Sequence, residues 1–282
     1  MIIIKLLVIG CDGQLGKDIT KILSQKNTYE FICTNRKDLD ICNFKEVDEF
    51  ILKHKFDAVI NCAAYTKVDL CESNKEKAFL VNSFAAKNIA LSCEKIGAKL
   101  VYISTDYVFD GKKEGPYYES DKINPLSIYG KSKALGEIYT KMFSSKYFMI
   151  RTAWLYGDGN SFVKTMLNLS KTKDCISVVN DQIGSPTSTK DLANCILNLI
   201  NTENYGIYHG TCNGYCSWYD FACKIFELKN INIKVNHITS KEYKCDAIRP
   251  LNSILYNNML KINNMDNFRD WQDALEEYVQ NI

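Results

Sequence analysis

The sequence predicts an α/β protein, a Rossmann-type doubly wound parallel sheet with a smaller, partly interleaved C-terminal α/β substrate lobe. Three observations carry this expectation. Residues 2–9 are an apolar run interrupted only by Lys5, the mark of a strand buried on both faces. Short apolar runs then alternate with segments of helical period over the first 150 residues or so, which is the pattern of repeated βαβ units with right-handed crossovers. The first run also ends in Gly10-Cys-Asp-Gly13-Gln-Leu-Gly16, a glycine-rich turn that opens an amphipathic segment.

Taken in order, Leu15, Ile19, Ile22 and Leu23 lie at helical spacing within 14–25, and residues 30–34 form a short strand. Phe44, Val47, Phe50, Ile51 and Leu52 point to a helix, followed by a strand over 57–61. A long helix is expected over 75–96, with Ala78, Phe79, Val81 and Ala85 on its apolar side, then a strand over 99–103. Residues 105–125 contain Gly111, Gly115, Pro116 and Pro125 and read as loop. A helix over 126–143 and a strand over 147–150 close the first unit. Beyond Arg151 the segments shorten. Helices are expected near 161–171, 189–201, 217–228 and 270–280, the last with Trp271, Leu275 and Tyr278 on one face. The expected division is a nucleotide-binding domain over 1–151 and a mainly substrate-binding lobe over 152–282, with some segments returning to the first domain.

Composition narrows the function. The chain has 282 residues, 46% of them hydrophobic and 24% charged, which is ample for a large core and unlike a disordered chain. A net charge of +2 gives no basic footprint for nucleic acid. The 12 cysteines include no CxxC pair, and His54, His209 and His237 are far apart, so no metal site is expected. Several cysteines sit in apolar runs and read as buried thiols of a reducing compartment. The apolar start lacks a basic segment before it and a small-residue cleavage site after it, and no run approaches the roughly 20 apolar residues of a membrane span. A cytoplasmic protein without membrane contact is expected.

Gly10, Gly13, Gln14, Leu15 and Gly16 are candidates for the pyrophosphate of a dinucleotide. Glycines let the backbone approach it, and the helix N-terminus offers free N–H groups. An acidic residue about 20 positions on would favour NADH. Asn35-Arg36 stands there instead, and Arg36 is either a partner for the 2′-phosphate of NADPH or a solvated loop cation. Asp40 and Ile41 are placed near the adenine, and Ala63, Ala64 and Tyr65 at a strand end beside the cofactor.

Tyr-x-x-x-Lys puts a phenol and an ammonium one helical turn apart, so that the cation lowers the phenol pKa from about 10 and readies it for proton transfer. The pattern is expected roughly twice by chance in this composition, and it occurs twice, so position must decide. Tyr118…Lys122 falls in a polar loop, whereas Tyr129…Lys133 enters a helix. Ser104-Thr105-Asp106 stands at the carboxyl end of the strand over 99–103, where ligands of such sheets bind.

At these residues the chain resembles the extended short-chain dehydrogenase/reductases, and among them the dTDP-4-dehydrorhamnose reductase family. The matching stretches are Gly13–Gly16, Asn61–Asp69, Ser104–Gly111, Tyr129–Lys133, Arg151–Gly157, Asn180–Thr187, Gly206–His209 and Arg249–Ser253, so the resemblance spans nearly the whole chain. It implies an oxidoreductase that uses NADPH or NADH to reduce the C4 ketone of a sugar nucleotide, dTDP-4-dehydro-L-rhamnose. It also implies Thr105, Tyr129 and Lys133 as the catalytic trio, with Tyr129 and Lys133 also at the nicotinamide end. Thr66, Asp106, Trp154 and Arg249 are implied at the sugar nucleotide, although Trp154 also reads as core and Arg249 as a helix-end cation. His209 and Asp181 read as structural. Asn35 departs from the acidic residue of many relatives and leaves both cofactors open. The alternatives are a sugar-nucleotide epimerase or dehydratase of the same superfamily, and a non-catalytic NADP-binding regulatory subunit. Besides the sugar nucleotide, a homodimer is a possible association.

Overall fold

In the computed structural model, which describes residues 3–282, the first strand is β1 (Ile4–Ile9). Ile2, the first residue of the expected strand, lies with Met1 outside the described residues. The chain continues through α1 (Gln14–Leu23), β2 (Tyr29–Thr34), α2 (Phe44–His54), β3 (Ala58–Asn61), α3 (Val68–Ser73), α4 (Lys75–Phe79), α5 (Ala85–Ile96), β4 (Lys99–Thr105), α6 (Ile128–Phe143) and β5 (Tyr147–Thr152). The second half holds β6 (Leu155–Tyr156), α7 (Phe162–Leu169), β7 (Cys175–Val179), β8 (Ile183–Gly184), β9 (Thr187–Ser188), α8 (Thr189–Leu199), β10 (Gly206–His209), β11 (Cys216–Ser217), α9 (Trp218–Leu228), β12 (Lys234–Ile238), β13 (Asn252–Ser253), α10 (Asn258–Ile262) and α11 (Trp271–Gln280).

The main sheet has six parallel strands in the order β10-β5-β4-β3-β1-β2. This is the doubly wound α/β arrangement the sequence predicts. The apolar runs feed two cores, one on each face of the sheet. Leu6, Val8, Ile60, Val101 and Phe148 pack on one side with Ile19 of α1 and Leu192 of α8. Leu7, Ile9, Val59 and Leu100 pack on the other with Val47 of α2 and Ile89 of α5. Strand order reverses between β3 and β1, so the carboxyl ends of these strands flank the crevice where such sheets bind ligands.

Two features differ from expectation. The helix over 75–96 is interrupted by a π-helical turn, Leu80–Phe84, and the short helix α3 precedes it. Asn82 in that turn reaches across, accepting from Tyr65 N at 2.8 Å and donating to Ser132 Oγ at 3.0 Å. Strand β4 runs to Thr105, which places that hydroxyl at the last sheet position. Among the segments beyond Arg151, β10 returns to the main sheet beside β5, while the two-residue strands form small sheets of their own, β11-β8-β13 and β6-β9. Strands of two residues carry no period of their own and are set by their partners. Among the described residues no helix is long and apolar enough to cross a membrane.

Candidate active site

The glycine turn is shaped for close backbone approach. Gly10 takes φ +81°, and a Cβ there would lie 2.8 Å from Ala63 N at the end of β3. Only glycine accommodates both constraints. Gly13 caps α1 with no side-chain acceptor for its first-turn amides, which leaves them, with the positive end of the helix dipole, available to an anion.

Two clefts run together over this turn. One, of about 330 Å³, is lined by Gly10, Gly13, Asn35, Arg36, Asp40, Ile41, Ala63, Ala64 and Tyr65. Every residue expected at the adenosine end therefore falls on it. Asn35 is tied into its own turn, its Oδ1 accepting from Lys37 N at 2.8 Å. Arg36 is three-quarters exposed and paired with Asp40 at 3.4 Å. The backbone N–H of Cys42 holds the Asp40 carboxyl below its usual range, with Arg36 adding to the effect. Lys77 of α4 also faces this cleft, 5.2 Å over the Tyr65 ring, a cation that sequence reasoning missed because nothing in its segment marks it.

The second cleft, of about 470 Å³, shares Gly13, Cys62, Ala63 and Ala64 with the first and extends to Gln14, Leu15, Gly16, Thr66, Thr105, Asp106, Tyr129, Lys133 and Trp154. Tyr129 and Lys133 come from the first turns of α6, whose N-cap Ser127 accepts from Gly130 N at 3.1 Å. The helix approaches the chain after β4 so closely that a Cβ on Gly130 would lie 2.2 Å from Tyr107 O. This contact brings the phenol beside the carboxyl edge of β4. Thr105 Oγ1 donates to Asp106 Oδ1 at 2.8 Å, and the Tyr107 ring meets Tyr129 edge-on at 5.5 Å.

The electrostatics reverse one expectation. Burial pushes the Tyr129 phenol well above its ordinary value, only partly opposed by the Thr105 hydroxyl. Burial likewise brings the Lys133 ammonium down to about 7, against the opposing charge of Glu137. Lys133 Nζ donates to Ile103 O at 2.5 Å and lies 4.2 Å over the Tyr102 ring, so it is not committed to the phenol. Desolvation outweighs the Coulomb effect expected from the Tyr–Lys spacing. The consequence is a phenol that stays protonated at neutral pH, the form required of a proton donor.

Burial also raises the Asp106 carboxyl to about 6, opposed by the hydroxyls of Ser253 and Thr105. An unfolded Asp titrates near 4. Between about pH 4 and 6 the unfolded chain therefore holds fewer protons here than the folded one, and this group's contribution to stability falls as pH rises, then stays level above about 6. Asp106→Asn removes the titration. Its stability relative to the original protein should rise across that window, by up to about 3 kcal/mol, and level off above it. Urea melts of both proteins from acid to neutral pH check this, and a pH-independent difference contradicts it.

Two expected substrate residues sit differently from each other. Trp154 lines the cleft, half-buried, with its indole stacked on Trp218 at 3.6 Å. It is neither solvated nor fully in the core. Arg249 does not line the cleft. Its guanidinium is taken up by Asp69 Oδ2 at 2.6 Å and the Tyr107 hydroxyl at 3.1 Å, so it backs the ring that packs on Tyr129. His209 is fully buried, and burial lowers its imidazole to about 3. The Asp181 carboxylate accepts from Ser240 N and Oγ. Trp218, at the start of α9, is a cleft residue that sequence reasoning missed. The Ser217-x-x-Asp220 capping box marks the helix start but not what its first residue faces.

A doubly wound sheet whose glycine turn opens into a cleft holding a Thr, a Tyr and a Lys at the edge of β4 defines the class, that of the extended short-chain dehydrogenase/reductases. The family model described as RmlD substrate binding domain matches residues 4–282, and the chain belongs to that family. It is 43% identical over 277 residues to the spore coat polysaccharide biosynthesis protein SpsK of Bacillus subtilis, covering 98% of this chain and 97% of that one. A solved dTDP-4-dehydrorhamnose reductase from Clostridium acetobutylicum is 49% identical, covers 98% of this chain and 99% of its own, and superposes with a TM-score of 0.97. Another from Bacillus anthracis, solved in complex with NADP, is 41% identical over 100% of both chains, with a TM-score of 0.97.

Proposed function

We propose that this chain is an NAD(P)H-dependent oxidoreductase that reduces the C4 ketone of dTDP-4-dehydro-L-rhamnose to give dTDP-L-rhamnose. The observation that carries the reading is the continuity of the two clefts, which puts Thr105, Tyr129 and Lys133 at the end of a groove that begins on the glycine turn. The turn fits a dinucleotide, because α1 presents uncapped amides to the cleft, while Gly10 and Gly16 let the turn fold tightly against the backbone beneath them. When bound there, the cofactor supplies the hydride.

The residues of the chain supply the rest. Gly13, Gln14, Leu15 and Gly16 hold the pyrophosphate, and the cleft from Asn35 to Tyr65 takes the adenosine. The Thr105 hydroxyl orients the ketone oxygen and stabilises the charge that develops on it. Tyr129 gives its proton to that oxygen. Lys133, whose ammonium burial brings down to about 7, lines the same cleft as the phenol and binds the nicotinamide ribose. Thr66, Asp106 and Trp154 contact the sugar nucleotide, and Arg249 acts through Tyr107. The cytoplasm is the proposed location. A homodimer is compatible with the exposed apolar side chains of Leu80, Phe84, Ile138 and Met142.

The test follows the hydrogen. With cofactor deuterated at the transferable position, the label should appear at C4 of the sugar in one product, and label retained on the cofactor contradicts the reading. For cofactor choice, Arg36→Ala should raise KM for NADPH about tenfold and leave that for NADH unchanged, the size of one charge-assisted hydrogen bond at an exposed site. Equal effects on both cofactors would make Arg36 only the partner of Asp40.

A further inference from the structure

Trp154 stands in a conformation that its own chemistry disfavours. It stands between β5 and β6 and takes φ +47°, a left-handed backbone that bulky residues keep only when their surroundings hold them there. Two contacts do the holding. Trp218 lies flat against its indole, with centroids 3.6 Å apart and planes 9° apart. Gly184 of β8 gives the ring room, since a Cβ there would lie 2.5 Å from Trp154 Cε2. Trp218 is itself fixed, standing as the first residue of α9 inside the Ser217–Asp220 capping box and packed on Phe162 at 4.6 Å. Both indoles line the cleft that holds Thr105 and Tyr129.

We infer that Trp218 is a positioning residue for the sugar-nucleotide subsite, holding the Trp154 indole at the height and tilt that the bound substrate meets. The inference rests on the proposed reduction of a sugar nucleotide in this cleft. It makes the aromatic wall a rigid pair, so that substrate binding does not have to order a free indole.

The experiment combines optical and kinetic readouts. Stacked indoles couple their transitions, so the protein should show an exciton couplet in circular dichroism. The couplet should persist in Trp271→Phe, which leaves the pair intact, and vanish in Trp218→Phe. Trp218→Leu should raise KM for dTDP-4-dehydro-L-rhamnose by up to about tenfold, the affinity equivalent of one aromatic pair, with KM for NADPH and kcat within about twofold. Trp218→Phe, which keeps a ring against Trp154 and preserves folding, should recover most of the loss. Trp218→Leu added to Trp154→Ala should cost nothing further, because Trp218 acts through Trp154. An absent couplet in the original protein, additive losses in the double variant, or an equal rise in KM for NADPH would overturn the inference. The couplet needs no substrate. A protein that shows it but does not turn over the sugar nucleotide contradicts the functional reading and leaves the positioning of Trp154 standing.

Discussion

Tyr129→Phe should bind cofactor as the original protein does and lose about 10²–10⁴-fold in kcat, the range for removing a general acid. The expectation stands on the placement of the phenol, which is 9% exposed in the cleft shared with Thr105 and Lys133. Burial keeps it protonated at neutral pH, so reduction draws on a donor that is already loaded, and its loss leaves only water to protonate the oxygen. Tyr118→Phe is the control. It carries the other Tyr-x-x-x-Lys spacing, but its ring packs on Tyr256 at 5.1 Å, outside the cleft, and activity should be unchanged. Single-turnover rates with saturating cofactor separate the two variants. A Tyr129→Phe protein within about threefold of the original would remove Tyr129 from the chemistry.

The second large effect is on stability. Glu137, one turn beyond Lys133 on α6, forms a bidentate pair with Arg151 of β5. Arg151 Nε donates to Oε1 at 2.9 Å and Nη2 to Oε2 at 2.8 Å, with both side chains no more than 5% exposed. Ser104 Oγ donates to the same carboxylate at 2.6 Å, so one buried charge ties β4, β5 and α6 together beneath the catalytic edge. Glu137→Gln leaves the guanidinium without its counter-charge. That should cost about 3–5 kcal/mol and lower Tm by the order of 10 °C. Replacing both partners, Glu137→Leu with Arg151→Met, should recover part of the loss, because the cost lies in the unpaired charge rather than in the missing bridge. Thermal melts of the single and double variants decide it, and a single variant within about 1 kcal/mol of the original contradicts the description. Glu137 also favours the charged form of Lys133, so Glu137→Gln should shift that titration below about 7.

The first half of the fold was legible because its strands are buried on both faces and so appear as apolar runs, as in residues 4–9 and 58–61. Strand β10 was not, since its four residues, Gly206–His209, have no alternation to read and gain their place only by pairing with β5. The π-helical turn at 80–84 was hidden for a related reason: its register is fixed by Asn82 bonding to Tyr65 and Ser132, contacts distant in sequence. In the site, the glycine turn and Tyr129-x-x-x-Lys133 were legible because their chemistry depends on local spacing. The state of the phenol was not, because its direction of shift depends on burial by the whole cleft. Arg249 illustrates the same limit. A lone arginine in a loop reveals nothing of Asp69, 180 positions away, which holds it off the cleft wall.

The most direct measurement follows both reactants together, recording loss of reduced nicotinamide absorbance while the sugar nucleotide is separated and quantified. With dTDP-4-dehydro-L-rhamnose and NADPH, one cofactor should be oxidised for each dTDP-L-rhamnose formed, at a rate that collapses in Tyr129→Phe. Conversion of the sugar nucleotide without net loss of reduced cofactor would mark an epimerase or dehydratase, and cofactor binding with no turnover at all would mark a regulatory subunit; either result contradicts the reductase.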